Sequence, residues 1–390
     1  MSDSTTGTRF RLNRMLPRDP AEPFRTASSL ELFFDLVFAV SVSIAAAQLH
    51  HQLREEHLGG GLLSYAMVFF AIWWAWMNFS WFATSFDTDD WLYRVMAIVQ
   101  MSGVLVLAAG VEPAFVGGDY TVVVIAYVVM RLAMIGQWLR ASRSDSGLRR
   151  TALAYAWGIG IMQVLWLLFL ALPAGVQPTV FFVLMLGELS IPVIAERRTS
   201  TPWHPHHITE RYSSFTLIVL GESILASVTA VIGALHAGDA LWELVPLAAL
   251  TLIAAASMWW IYFWPPHHKA ITSTLSSLQY GYIHYFVLAA AAAFSVGIRL
   301  QIDQVTGVGS TPPLVAAFAV AVPIVVFLLG IWWVAIRRVH DRVVDTAVIG
   351  GAVLVLVDAL LPVPVALTTV VLVAVVVVLV LRPCPEGEDD

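Results

Sequence analysis

The sequence predicts an all-α fold: a polytopic membrane protein with about twelve transmembrane helices in two six-helix parallel repeats. Three observations predict it. The 390 residues are 59% hydrophobic and only 12% charged, where a soluble domain carries about 25% charged residues. Apolar windows of the ~20 residues needed to cross a bilayer recur from end to end. The second half of the chain also echoes the first at a nearly constant spacing.

The windows justify themselves in order. Residues 1–27 are polar and basic, with no apolar core before a cleavage site, so no removable signal peptide is read. The first window, 28–50, carries Glu31 and Asp35. They are four residues apart and share one helix face. The second, 62–86, holds Trp73-Trp74-Ala75-Trp76 and Asn78, and the third, 92–112, holds Gln100. The fourth, 119–140, contains Arg131, a base well inside a window. The fifth, 150–172, has Gln163. The sixth, 178–195, places Glu188 between Gly187 and Pro192, a helix-disrupting residue.

A loop, 196–207, with His204, His206 and His207 separates the halves, 28–195 and 208–382. The seventh window, 208–234, opens on Glu210-Arg211 and carries Glu222. The eighth, 243–264, repeats a Trp pair, Trp259-Trp260, and leads to His267 and His268 in the next loop. The ninth, 278–299, has His284. Windows 312–336, 343–361 (with Asp358) and 364–382 complete the set before a polar tail, 383–390. The single cysteine, Cys384, excludes an intramolecular disulfide and Cys-based metal or redox motifs.

Basic residues orient the chain. With a cytoplasmic N-terminus, that side collects the arginines of 9–25, Arg94, Arg140, Arg143, Arg149, Arg150, Arg197, Arg198, Arg211, Lys269, Arg337, Arg338, Arg342 and Arg382. The other side keeps Arg54 and Arg299. Both ends are then cytoplasmic. The repeat rests on Trp73 against Trp259, Asp35 against Glu222 and Tyr93 against Tyr282, spacings of 186, 187 and 189 residues. Six spans per half insert both halves in the same sense, the parallel-repeat arrangement.

Charge inside a span costs about 2.5 kcal/mol or more at its centre, and it marks either a pathway or a structural pair. Glu31 and Asp35 repel when both are ionised, which favours holding a proton or a cation. The plainer alternative is a salt bridge or a cap near the cytoplasmic end. Arg131 can pair with Asp35, Glu188 or Glu222. Arg211 reads as a cytoplasmic anchor and a charge partner, and Glu222 as a deep acid three turns on, with Gly221 beside it. Glu210 is a further charge partner. Asn78, Gln100, Gln163 and His284 read as interhelical hydrogen-bond formers. The histidine clusters lack a tetrahedral metal pattern.

No phosphate-binding loop, dinucleotide fingerprint or hydrolase motif is present. An enzyme is not expected, nor a cofactor, nor a nucleic-acid partner. Two functions remain. One is a transporter or channel for a small solute or ion, with Glu31, Asp35 and Glu222 lining the pathway. The other is a non-transporting structural, lipid-handling or stress-related protein whose buried charges fix helix packing.

The stretches Leu30-Glu31-Leu32-Phe33-Phe34-Asp35-Leu36-Val37-Phe38 and Glu210-Arg211-Tyr212-Ser213-Ser214-Phe215-Thr216 through Gly221-Glu222-Ser223-Ile224 resemble bacterial low temperature requirement A proteins. The likeness extends from about residue 20 to 380. It implies a multi-pass protein of the bacterial inner membrane, linked to growth at low temperature, without a settled biochemical activity. Phe34-Asp35-Leu36-Val37-Phe38-Ala39 is also similar to a Phe-Ser-Asp motif in potassium channels built from six-helix repeats, with Phe34 standing where that motif has its serine.

Overall fold

In the computed structural model, residues 12–19, 22, 26–237, 241–361 and 364–382 are described. Most of the segment 1–27, residues Pro362 and Val363, and the tail with Cys384 lie outside them. The described elements are all helical. They run α1 (Ser29–Arg54), α2 (Leu58–Phe86), α3 (Trp91–Ala109), α4 (Val111–Val116), α5 (Thr121–Ser144), α6 (Arg149–Phe169) and α7 (Gln177–Ala195). They continue with α8 (Pro205–Ala237), α9 (Leu241–Phe263), α10 (Thr274–Thr306), α11 (Pro313–Val334), α12 (Arg342–Asp358) and α13 (Pro364–Leu381). Two short 3₁₀ turns, His267–Ala270 and Ile336–Val339, precede α10 and α12.

Among the described residues, ten helices are long and apolar enough to cross a membrane: α1 to α3 and α5 to α11. The last two windows fall on the shorter α12 and α13, of 17 and 18 residues. The third window ends early, at Ala109, and the chain continues through Gly110 into the six-residue α4. A Cβ at Gly110 would stand 2.9 Å from Val122 Cβ and Val123 N, so the close approach of α5 requires glycine there.

The core is mostly apolar, yet large apolar side chains also cover the outside while the intramembrane charges of α1 and α5 turn inward. On α1, Glu31 and Asp35 are buried while Leu32, Phe33, Leu36 and Val40 are 45–53% exposed. On α6, Gln163 is buried and Ile161, Val164 and Leu168 are exposed; on α5, Arg131 is buried beside exposed Leu132. Such faces are stable only against hydrocarbon, so the helices contact a lipid bilayer.

The chain divides into two compact units, Met1–Ser41 with Ala71–Arg211, and Val42–Phe70 with Tyr212–Asp390. The division falls inside α1, α2 and α8. In the first unit α3, α5, α6 and α7 pack on their sequence neighbours. Trp138 and Tyr155 stack at 4.1 Å, and Phe34 stacks on Phe79 at 4.1 Å. In the second unit α10 and α11 pack most extensively, followed by α9 with α13 and α11 with α12. Pro323 has no N–H to give the carbonyl of Ala319, four residues back. Gly297 of α10 lies against that carbonyl so closely that a Cβ would collide with it. Small-residue contacts of this kind let membrane helices approach.

Candidate functional site

The first cluster begins at the start of α1. Ser28 precedes the helix, and its backbone N–H donates to Glu31 Oε2 at 2.8 Å while Glu31 N–H donates to Ser28 Oγ at 3.3 Å. This reciprocal pair is a capping box, which satisfies orphan donors of the first turn. One turn on, Asp35 points to the same side. Arg211 of α8 meets both acids. Its Nε and Nη2 donate to Asp35 Oδ2 and Oδ1 at 3.0 and 2.5 Å, and its Nη1 donates to Glu31 Oε1 at 3.0 Å. Trp76 Nε1 of α2 donates to Asp35 Oδ1 at 2.6 Å. His207, one turn before Arg211, places Nε2 3.1 Å from Glu31 Oε1. Arg211, Glu31 and Asp35 are each no more than 1% exposed.

Arg211 is therefore not an interfacial anchor, as its position near the start of a span had implied. Its planar fork uses three nitrogens on two carboxylates, a geometry that lysine cannot reproduce. Glu31 and Asp35 share a face as expected, and Arg211 occupies that face. Neighbouring Glu210 accepts the backbone N–H of Ala27 at 3.1 Å.

A second cluster lies in the same unit. Of the three partners open to Arg131, the geometry selects Glu188: Nη2 reaches Oε2 at 3.2 Å. The same nitrogen donates to Tyr127 Oη at 2.6 Å, and the guanidinium lies 4.8 Å from the Tyr127 ring centroid. Glu188 also accepts from Trp74 Nε1 at 2.9 Å, Trp166 Nε1 at 3.2 Å and Gln163 Nε2 at 3.4 Å. Four donors from α2, α5 and α6 thus converge on one carboxylate of α7. Such satisfaction is what makes a buried ion pair tolerable.

Glu222 differs. It lies in the second unit, where Ser43 Oγ donates to its Oε1 at 2.5 Å. Its counter-ion is Arg299 rather than Arg131, and Nη2 stands 3.8 Å from Oε2. The side chains of Glu222 and Arg299 are 17% and 32% exposed, so this pair is only partly enclosed by the helices around it. On the same three helices or close by, His50 Nε2 contacts Asp303 Oδ2 at 2.7 Å.

Two histidines of the second unit form a Tyr–His network. His284 Nδ1 lies 2.7 Å from the Tyr280 carbonyl, which leaves Nε2 to accept from Tyr262 Oη at 3.2 Å. His267 Nε2 lies 2.6 Å from the Tyr262 carbonyl, and Tyr280 Oη donates to its Nδ1 at 3.1 Å. Burial holds His267 down at about 4, only partly offset by its bond to the Tyr262 carbonyl. Asp358 is likewise buried and accepts Thr368 Oγ1 on both oxygens, at 3.0 and 2.8 Å, rather than meeting interfacial water.

In the loop before α3, Asp90 caps the helix through Tyr93 N–H at 3.0 Å and also accepts the Asn13 N–H at 3.1 Å. Arg140 binds both its oxygens. Burial pushes the Asp90 carboxyl up, but these donors outweigh it and hold it below the usual carboxylate range.

Sequence reasoning missed His207, Trp76, Tyr127, Trp74 and Trp166 as partners of the acids. The one available signal was local: Ser28-Ser29-Leu30-Glu31 spells a capping box.

Comparison with known proteins supplies the last findings. The family profile described as bacterial low temperature requirement A protein (LtrA) matches residues 26–381. An uncharacterized protein of Rhizobium meliloti (strain 1021), RA0937, is 25% identical over 342 residues, covering 83% of this chain and 80% of its own length. No solved structure matches.

Proposed function

Because this chain belongs to the bacterial low temperature requirement A family, we propose that it is a multi-pass protein of the bacterial inner membrane that conducts or transports a small cation or proton. The reading includes twelve spans, counting α12 and α13, two six-helix repeats, and both ends in the cytoplasm. The basic residues and the spacing of Asp35 against Glu222 support those parts.

One observation carries the functional part. Glu222 stands inside a span with partial exposure, one short bond to Ser43 and only a distant arginine at 3.8 Å. An intramembrane acid with an incomplete counter-charge can exchange a proton or a cation. Ser43 is the auxiliary oxygen and Arg299 the tuning charge. In this reading Glu31, Asp35 and Arg211, and likewise Arg131 and Glu188, are the rigid frame. Their burial and close ion pairing favour architecture for those residues, the part of the non-transporting alternative that the geometry supports.

The test is flux in proteoliposomes, with proton and monovalent-cation gradients read by a pH-sensitive dye. Glu222→Gln should lower flux at least about tenfold, the effect of ~1.4 kcal/mol on the passage, while unfolding stays near the wild-type temperature. Undiminished flux in the folded variant, or no flux in the wild type, overturns the proposal.

A further inference from the structure

The second unit holds a cavity of about 620 Å³, lined by α1 (Leu49, Leu53), the start of α2 (Leu58 to Ala66), α10 (Tyr285 to Val296) and α11 (Leu314 to Val326). It is within the size range of small-molecule sites, about 300–1,000 Å³. The lining is almost wholly apolar for a specific reason. Its two hydroxyls are both spent on backbone: Tyr65 Oη donates to the Ala289 carbonyl at 2.8 Å, and Tyr285 Oη donates to the Ala66 carbonyl at 2.8 Å. Only their rings face the cavity. Alanines 289, 290, 293 and 319 make the space, because no longer side chain fills it.

Its dimensions match one leaflet. From Leu314 to Val326 along α11 is about 18 Å at 1.5 Å per residue, close to half of the ~30 Å hydrocarbon core. At one end, Leu53 and Leu58 flank the α1–α2 connection. There Arg54 is exposed and lies against Gly309, a glycine at φ 89° whose missing Cβ leaves room for the arginine stem. Arg54 has no ion-pair partner among the described residues; its neighbour Glu55 faces His51 and His57. An apolar slot one leaflet long, with an uncommitted guanidinium at its mouth, has the shape of an acyl chain below a phosphate.

We propose that this groove binds a phospholipid of the surrounding bilayer, with one acyl chain against Ala289, Ala293 and Ala319 and the phosphate at Arg54. A second copy of this chain is the competing occupant. It would bring packed side chains rather than a lone acyl chain.

The experiment uses the full chain in nanodiscs of phosphatidylethanolamine and phosphatidylglycerol, 3:1 on the order of bacterial composition, doped with an acyl-diazirine phosphatidylethanolamine. After illumination, peptide mapping should place most adducts on 285–296 and 314–326. Ala293→Phe, which fills the groove, should cut those adducts about fivefold or more. Arg54→Ala should cut them about two- to fivefold, the yield of an exposed charge pair. Leu62→Trp, at the groove edge, serves where Ala293→Phe lowers expression. Adducts spread evenly over all lipid-facing helices, or indifferent to every variant, overturn the proposal. So does a chain-to-chain crosslink through these peptides in place of lipid adducts.

Discussion

Replacing Arg211 by lysine tests whether the first cluster is a rigid frame. The guanidinium makes three charge-assisted bonds, two to Asp35 and one to Glu31. A lysine ammonium is a single point and can keep at most one of them at full strength. Two lost bonds at about 1.5–3 kcal/mol each give about 3–6 kcal/mol, consistent with the 3–5 kcal/mol cost of breaking a buried pair. At roughly 2–4 °C per kcal/mol, the unfolding midpoint of the purified protein in detergent should fall by about 10 °C. A second variant, Arg211→Met with Glu31→Gln and Asp35→Asn, removes all three charges together. Matched removal of a buried ion cluster is often close to neutral, so this triple variant should recover most of the loss. An Arg211→Lys midpoint within about 2 °C of wild type, or a triple variant no better than Arg211→Met alone, would show that the cluster does not hold the fold.

Glu188→Gln should lower the midpoint comparably, since it leaves Arg131 buried without its anion, and Arg131→Met with Glu188→Leu should restore it; thermal unfolding in detergent checks both. Ser28→Ala removes one half of the capping box and should cost about 1 kcal/mol by the same measurement. Stability should fall on acidification between pH 6.5 and about 4, because unfolded His267 takes up a proton that the folded residue refuses. The sign follows from linkage: more protons bound to the unfolded state means stability rises with pH. The full swing is about 3 kcal/mol, and His267→Gln should flatten that part of the pH profile of the melting temperature. Asp90 adds a loss at lower pH, as its depressed carboxyl protonates, and Asp90→Asn should remove it.

The helices were legible because hydrocarbon leaves so simple a mark. Long apolar windows and the polar punctuation between them need no tertiary information. The acids were legible for the same reason, as expensive exceptions. Their partners were not. Arg211 is 176 residues from Asp35. Periodicity states which face a side chain occupies but not which helix stands opposite. Arg131 had three formally equivalent acids available, and only the approach of α7 to α5 chooses Glu188. Glu222 shows the same limit: a central position in an apolar run says nothing of its partners, which are Ser43 and Arg299. The tryptophans of α2 carry no mark of their partners in the sequence, yet Trp74 donates to Glu188 and Trp76 to Asp35.

The separation of Asp35 from Arg211 also has a consequence in time. Membrane helices are synthesised and inserted from the N-terminus, at about 5–20 residues per second. With 176 residues between acid and base, α1 exists for roughly 10–35 s before α8 is made. During that interval its two carboxylates lack the guanidinium of Arg211. The nascent first helix must keep its acids protonated, hydrated at the membrane surface or sheltered by the insertion machinery, and only the arrival of α8 commits it to its final depth. The first cluster is thus completed only once the opening turns of α8 are made.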